Sequence, residues 1–344
     1  MTARGRKRNL IVLAVAILVI AIVLSSFVYL NSLKPYSGSI EPMTLAVYPS
    51  EYNSLIYIAN EQGYFSTNGL QVTLKDYTSG SAAVTGLLKG EADVATASEF
   101  AFARNVMQNA SILTFGSVSK YLNVYLVVRS DKGINSPSDL SGKKIGVTLG
   151  TANQFFLGRF LETNNVDQSH ITLVNVNFEE SPNALANGTI DAVMTFQPYI
   201  NQIKTLLDGK ILIWPAQANQ FGYFEGVASR DWVNAHPDLV VRFLKAIVQA
   251  QNFNINHQDQ SIAIVATALN ETVSYETSVW QEFQFSVTLD QSSVLLIQEE
   301  GRWLISNNLT SVTSVPNFSN SIYIDGLKSV KPDAVNIIGL GDQP

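Results

Sequence analysis

The 344-residue chain contains no cysteine. It therefore forms no disulfide, presents no thiolate nucleophile and offers no Cys-based metal site. Histidine is scarce too: His170, His236 and His257 stand far apart and share no ligand-like spacing. Charged residues make up only 15% of the chain and form no basic stripe, which argues against nucleic acid as a partner. No fixed-period repeat or low-complexity tract occurs, so a solenoid or a disordered array is excluded.

What the chain has instead is apolar residues, 46% of the total. That is enough for a sizeable core, and the length suits two domains or lobes better than one. One apolar run dominates: residues 10–30, LIVLAVAILVIAIVLSSFVYL, follow Arg4, Arg6, Lys7 and Arg8. The run is long enough to span a bilayer. The basic flank, residues 1–9, keeps to the cytoplasm and places everything after about Asn31 outside. The run exceeds a signal-peptide core and no small-x-small site directly follows it, which favours an uncleaved anchor; Ser37-Gly38-Ser39 is the weak cleavage candidate. With no cysteine after the run, a lipid-modified N-terminus is excluded. Without the four flank residues, 18 Lys+Arg remain against 28 Asp+Glu, a net of −10. An anionic ligand would then need local dipoles to hold it.

Residues 31–42 read as a linker with two prolines. A β/α alternation follows. Strands are expected at 43–48, 71–77, 92–97, 112–118, 123–130, 143–149, 171–176, 190–196 and 210–215, and helices at 53–62, 81–89 and 99–107. From Pro237 the pattern becomes mostly helical as far as Asn307, and the last 40 residues look irregular. This rhythm predicts an α/β fold with parallel or mixed sheets covered by helices. Two segments echo each other: GLLKGEADVATA (86–97) and ALANGTIDAVMTF (184–196). Each reads as a helix closed by glycine, then an aspartate at the start of a strand, which suggests two lobes built alike.

Three stretches in order carry a family resemblance. Residues 57–95 (YIANEQGYFSTNGLQVTLKDYTSGSAAVTGLLKGEADVA), 139–162 (DLSGKKIGVTLGTANQFFLGRFLE) and 184–200 (ALANGTIDAVMTFQPYI) resemble the nitrate/sulfonate/taurine-type substrate-binding proteins of ABC importers. The resemblance implies a two-lobed, type II periplasmic-binding-protein fold with mixed sheets, here behind one N-terminal transmembrane helix. It implies lobe 1 at 43–125 and 228–330, lobe 2 at 126–227, crossings near Tyr125–Ser130 and Tyr223–Arg230, and a tail at 331–344. It further implies a receptor and not an enzyme, most simply a monomer. Such a receptor needs no cofactor, and it delivers a small polar or anionic molecule to a permease and its ATPase outside the cell membrane. Two other readings stay in view. One is a sensor serving a signalling partner, since only about nine residues precede the membrane run. The other is an enzyme like the thiamine-pyrimidine synthases, which rely on a histidine and a cysteine-rich iron motif absent here.

The candidate site residues sit where strands hand over to helices. Gly150, Thr151, Ala152 and Asn153 lead into one helix, and Ser79, Gly80 and Ser81 into another. Helix N-termini carry unpaired N–H groups and the positive end of the macrodipole, a ready anion site. Thr151 and the serines are equally suited to plain capping; the resemblance favours the ligand role. Tyr48 and Ser50 end the first strand, where open α/β sheets bind ligands. Ser98 and Glu99 follow the third strand; Glu99 suits either a ligand ammonium or a favourable first-turn acid. Phe196 and Gln197 follow a lobe-2 strand, with Phe196 where a tryptophan would be expected of the family. Asn177 and Tyr223 complete the set. Trp214, Trp232, Trp280 and Trp303 read as packing residues. Asn-x-Ser/Thr sequons at Asn109, Asn187, Asn270, Asn308 and Asn317 suit glycosylation of an exported chain but also arise by chance.

Overall fold

The computed structural model describes residues 36–339. The expected membrane run at 10–30, its basic flank and the start of the linker lie outside them. Among the described residues no helix is long and apolar enough to cross a membrane.

The chain opens with β1 (Glu41–Val47), β2 (Leu70–Asp76), β3 (Val94–Ser98) and β4 (Ile112–Tyr121). It then builds a second sheet from β5 (Tyr125–Arg129), β6 (Lys144–Val147), β7 (Thr172–Asn175), β8 (Ala192–Thr195) and β9 (Ile211–Pro215). The strands β10 (Gly222–Ser229) and β11 (Phe283–Gln284) return to the first sheet, ordered β11-β4-β10-β3-β1-β2; the second is ordered β7-β6-β8-β5-β9. Both sheets are mixed. β1 lies parallel between β2 and β3, and β6 parallel between β7 and β8. The antiparallel strands β10 and β5 flank β3 and β8 respectively.

The helices that matter below are α1 (Ser54–Glu61), α2 (Gly80–Leu88), α3 (Glu99–Met107), α4 (Ala152–Thr163), α5 (Tyr199–Leu207), α6 (Pro237–Asn256) and α7 (Gln291–Ser306). They cover the faces of the parallel strands, of which β1, β3, β6 and β8 are largely buried and the edge strands β2 and β7 are not.

The echoed segments do the same job in each sheet. Gly90 (φ 73°) and Gly188 (φ 80°) take the left-handed conformation that ends a helix without steric cost. Asp93 then accepts the Thr44 N–H at 2.7 Å, and Asp191 the Lys144 N–H at 3.0 Å. Each aspartate thus ties the start of its own strand, β3 or β8, to the neighbouring parallel strand, β1 or β6.

Several expectations need correction. β1 begins at Glu41, inside the expected linker. Pro42 is tolerated there because at its level β1 pairs only with β2, while β3 joins at Leu45. The chain passes between the sheets at residues 122–124 and 216–221, and the expected crossings near Tyr125–Ser130 and Tyr223–Arg230 fall largely on β5 and β10. Residues 222–227, expected in lobe 2, form most of β10 in the first sheet. The C-terminal part is more regular than expected: a helix spans Asp325–Val330, and β13 (Val335–Asn336) lies parallel to β12 (Leu289–Asp290).

Candidate functional site

A cavity of about 40 Å³ lies where the two sheets face each other, room for a few water-sized groups. Its polar lining is Ser79, Gly80, Ser81 and Ser98 from the first sheet's side, and Thr151, Ala152 and Asn153 from the second's. Its apolar wall is Tyr48, Tyr52, Tyr121, Phe178, Phe196 and Phe224. No lining side chain is charged.

The polar part is built from the N-termini of α2, α3 and α4. First-turn N–H groups have no intrahelical acceptor, and the macrodipole puts about half a positive charge at each end. The hydroxyls there differ in what they have left to give. Ser79 accepts the Ala82 N–H (3.1 Å) and Ser98 the Ala101 N–H (3.3 Å). Each is a helix cap that keeps its own proton for another acceptor. Ser81 donates to the Gly150 carbonyl at 2.5 Å, joining the two sides. Thr151 does not cap: its hydroxyl donates to the Thr148 carbonyl at 2.7 Å. We therefore expect Ser79→Ala to cost about 1 kcal/mol of stability and to weaken anion binding about tenfold, as one charge-assisted hydrogen bond is lost. Thr151→Ala should cost similar stability but less affinity. Titration calorimetry and thermal unfolding on both variants measure the order.

Asn153, 4% exposed, donates through Nδ2 to the Met194 carbonyl at 3.3 Å. Gly150 has φ 77°, and its N–H is taken by Gln154 Oε1 at 2.8 Å. A side chain there would meet Arg104 of α3, whose Nη1 is 3.1 Å from the position of a Cβ. Arg104 takes part in none of the ion pairs among the described residues. It is a cation beside the loop that edges the cavity, brought there by tertiary packing. Arg104→Gln is expected to weaken anion binding several-fold, and the wild-type advantage should shrink as salt rises. Binding measured at two ionic strengths checks this.

The wall is a connected set of rings. Phe196 is edge-on to Tyr52 at 5.8 Å and to Phe178 at 4.8 Å, and Tyr52 stacks on Phe224 at 4.9 Å. All three tyrosine hydroxyls are engaged elsewhere. Tyr48 meets the Tyr199 hydroxyl of α5 at 3.0 Å, Tyr52 donates to Asn123 Oδ1 at 2.9 Å, and Tyr121 lies 3.3 Å from both oxygens of Glu99. Burial pushes the Tyr48, Tyr52 and Tyr121 hydroxyls well up, so they stay neutral.

Of the residues singled out from sequence, the structure brings together Tyr48, Ser79, Gly80, Ser81, Ser98, Thr151, Ala152, Asn153 and Phe196 on the cavity. The others fall outside its lining. The Ser50 hydroxyl turns back to the Tyr48 carbonyl (3.0 Å), and Gly150 stands behind Thr151. Asn177 is exposed beside the lining residue Phe178. Gln197 turns to Asn201. Tyr223 bonds Ser292 at 2.7 Å, and its neighbour Phe224 lines the cavity. Strand alternation puts adjacent residues on opposite faces, and β10 was not recognised as a strand. Tyr52 and Tyr121 follow from no local signal: one sits in a single 3₁₀ turn, the other at the end of β4.

Glu99 points away from the cavity. Its carboxylate accepts the Tyr223 N–H at 2.8 Å, and it sits fully buried with Glu225 of β10 and Glu300 of α7. Burial first, with the Glu225 charge, pushes Glu99 up against the hydrogen bonds from the Tyr223 N–H and Glu300, while burial and then the Glu99 carboxylate push Glu300 up. Glu225 is raised by burial, against the Ser293 hydroxyl it accepts at 2.6 Å. Among the described residues no group of His, Cys, Asp and Glu is arranged to hold a metal ion.

Comparison with known proteins places this geometry. The chain is 26% identical over 213 residues to the Bacillus subtilis (strain 168) binding protein YtlA, covering 60% of this chain and 64% of that protein. It is 27% identical over 195 residues to the taurine-binding periplasmic protein of Escherichia coli K12, covering 56% and 60%. The match thus spans less than two thirds of each relative. Among solved structures, the alkanesulfonate-binding protein SsuA of Xanthomonas axonopodis pv. citri, bound to MOPS, superposes with a TM-score of 0.73 at 17% identity, over 84% of this chain and 100% of that one. That likeness shows an α/β periplasmic-binding-protein fold. A family model, NMT1/THI5-like, matches residues 51–261, more than half of the sequence, and the chain belongs to that family.

Proposed function

We propose that this chain is the extracytoplasmic solute-binding component of an ABC importer, capturing a small polar or anionic organic molecule between two lobes and handing it to the permease. One observation carries the reading: helix N-termini from both sheets converge on one cavity whose side chains are uncharged. Dipoles from two sides supply what an anion needs, and a few charge-assisted bonds of about 1.5–3 kcal/mol each suffice for micromolar affinity. The lining offers no acid, base or nucleophile beyond serine and threonine hydroxyls, which suits a type II receptor better than an enzyme. The names of the relatives, which bind taurine and alkanesulfonate, point the same way.

On this reading lobe 1 is built on the first sheet and lobe 2 on the second, hinged at residues 122–124 and 216–221. The Tyr48–Tyr199 and Ser81–Gly150 contacts join the lobes when closed, and ligand biases the open–closed equilibrium. Residues 10–30 anchor the receptor, as a monomer, to the outer face of the cell membrane; if cleaved, they release it. The test is cross-linking in native membranes followed by identification of the captured partner. An ABC permease supports the receptor; a kinase or other signalling protein would replace it with the sensor.

A further inference from the structure

The lining separates hydrogen-bond donors from acceptors. The Ser79 hydroxyl, on a residue 8% exposed, lines the cavity with an uncommitted proton, and Ser98 does the same from α3. First-turn N–H groups of α2 and α4 add more donors. Acceptors are few. The Gly150 carbonyl is taken by Ser81, and the Tyr48, Tyr52 and Tyr121 hydroxyls are committed outside the cavity. The Glu99 carboxylate lies behind the wall, held by the Tyr223 N–H and Tyr121. The oxygens left over, the hydroxyls of Ser79, Ser81, Ser98 and Thr151 and the Asn153 Oδ1, all sit at the positive ends of α2, α3 and α4, where a cation is repelled.

Resting on the receptor reading, we propose that the site selects anions whose tail is uncharged and apolar, and rejects zwitterions that carry a primary ammonium. The anionic head accepts from Ser79, Ser98 and the helix ends. The tail lies against the aromatic wall. An ammonium has three N–H donors and no acceptor role; here it would lose its water and find only ring faces and oxygens set on like-signed helix ends. The rings alone attract a cation weakly compared with the cost of stripping its hydration.

The test compares matched pairs by calorimetry on the full-length protein: ethanesulfonate against taurine, and propionate against β-alanine. Each pair differs by one ammonium. The proposal expects the deaminated member to bind at least tenfold more tightly in every pair that binds. Taurine binding as tightly as ethanesulfonate, or more so, would overturn the proposal and leave the anion-receptor reading standing. No binding by any of the four would overturn both.

Discussion

Between pH 5 and pH 8 the protein is expected to lose stability, opposite to the usual acid-labile pattern. The cause is buried glutamate without a basic partner. Glu99, Glu225, Glu276 and Glu300 are at most 1% exposed, and none joins an ion pair among the described residues. Burial raises Glu276 to about 8, helped by the charges of Glu51 and Glu271. It raises Glu282 to about 7, and it raises Glu99, Glu225 and Glu300 as well. A carboxyl raised in the folded state binds more protons folded than unfolded. Its contribution is complete below the unfolded value near 4.3 and is lost as pH climbs through the folded value. The exposed Asp139 and Asp167 behave oppositely. Backbone N–H groups of Asn135 and Ser136 with the Ser136 hydroxyl hold Asp139 low, and Ser169 holds Asp167 low. Their help fades only below about pH 4, so the optimum falls near pH 5. The Tm at pH 8 should lie at least about 5 °C below that at pH 5, since a kcal/mol is worth about 2–4 °C in a large domain. Glu300→Gln keeps the shape without the charge. It should raise Tm at pH 8 by about 3 °C or more and change little at pH 5. A Tm that rises with pH, or an equal effect of the variant at both pH values, contradicts this account of the buried glutamates.

Phe196→Ala should remove both stability and binding. The ring is 2% exposed and touches Tyr48 and Tyr52 from the first sheet as well as Phe178 and Tyr199 from the second. A buried Phe→Ala change costs about 3–5 kcal/mol, on the order of 10 °C in Tm. The same cut takes out the centre of the cavity wall, so affinity should fall at least about tenfold, the worth of roughly 1.4 kcal/mol. Phe115→Ala is the control. Phe115 is as buried, packs on Phe243 of α6 and does not line the cavity. It should cost similar stability with affinity intact. Equal losses of affinity in the two variants would mean that binding tracks stability and not the wall.

Much of this was legible in the sequence. The hydrophobic rhythm of residues 43–107 places β1 to β3 and their helices within a few residues, and α3 falls where expected. The twin Gly–x–x–Asp segments point to two similar halves because glycine caps and strand-pinning aspartates are local devices. The serines and threonine before α2, α3 and α4 are local too. What was missed depends on contacts between distant segments. The β10 segment, expected as a crossing near Tyr223–Arg230, hides its strand because Gly222, Gly226 and Glu225 break the apolar pattern, yet the strand is held from both sides by β3 and β4. Glu99 looked free to meet a ligand, but Glu300 and Tyr223, more than a hundred residues away, turn it into the core. Arg104 reaches the Gly150 loop only once α3 and α4 pack together.

The central claim is that an anion binds between the helix N-termini and is enclosed there. The most direct measurement is a thermal-shift titration of the full-length protein, freed of carried-over ligand, against alkanesulfonates, taurine, nitrate and carboxylates. A bound ligand at about 1,000 times Kd stabilises by roughly 4 kcal/mol. The account predicts a saturable rise of several degrees with at least one anion class, smaller by about a third in Ser79→Ala at the same concentration. No saturable shift with any of these anions, or an undiminished shift in Ser79→Ala, would contradict it.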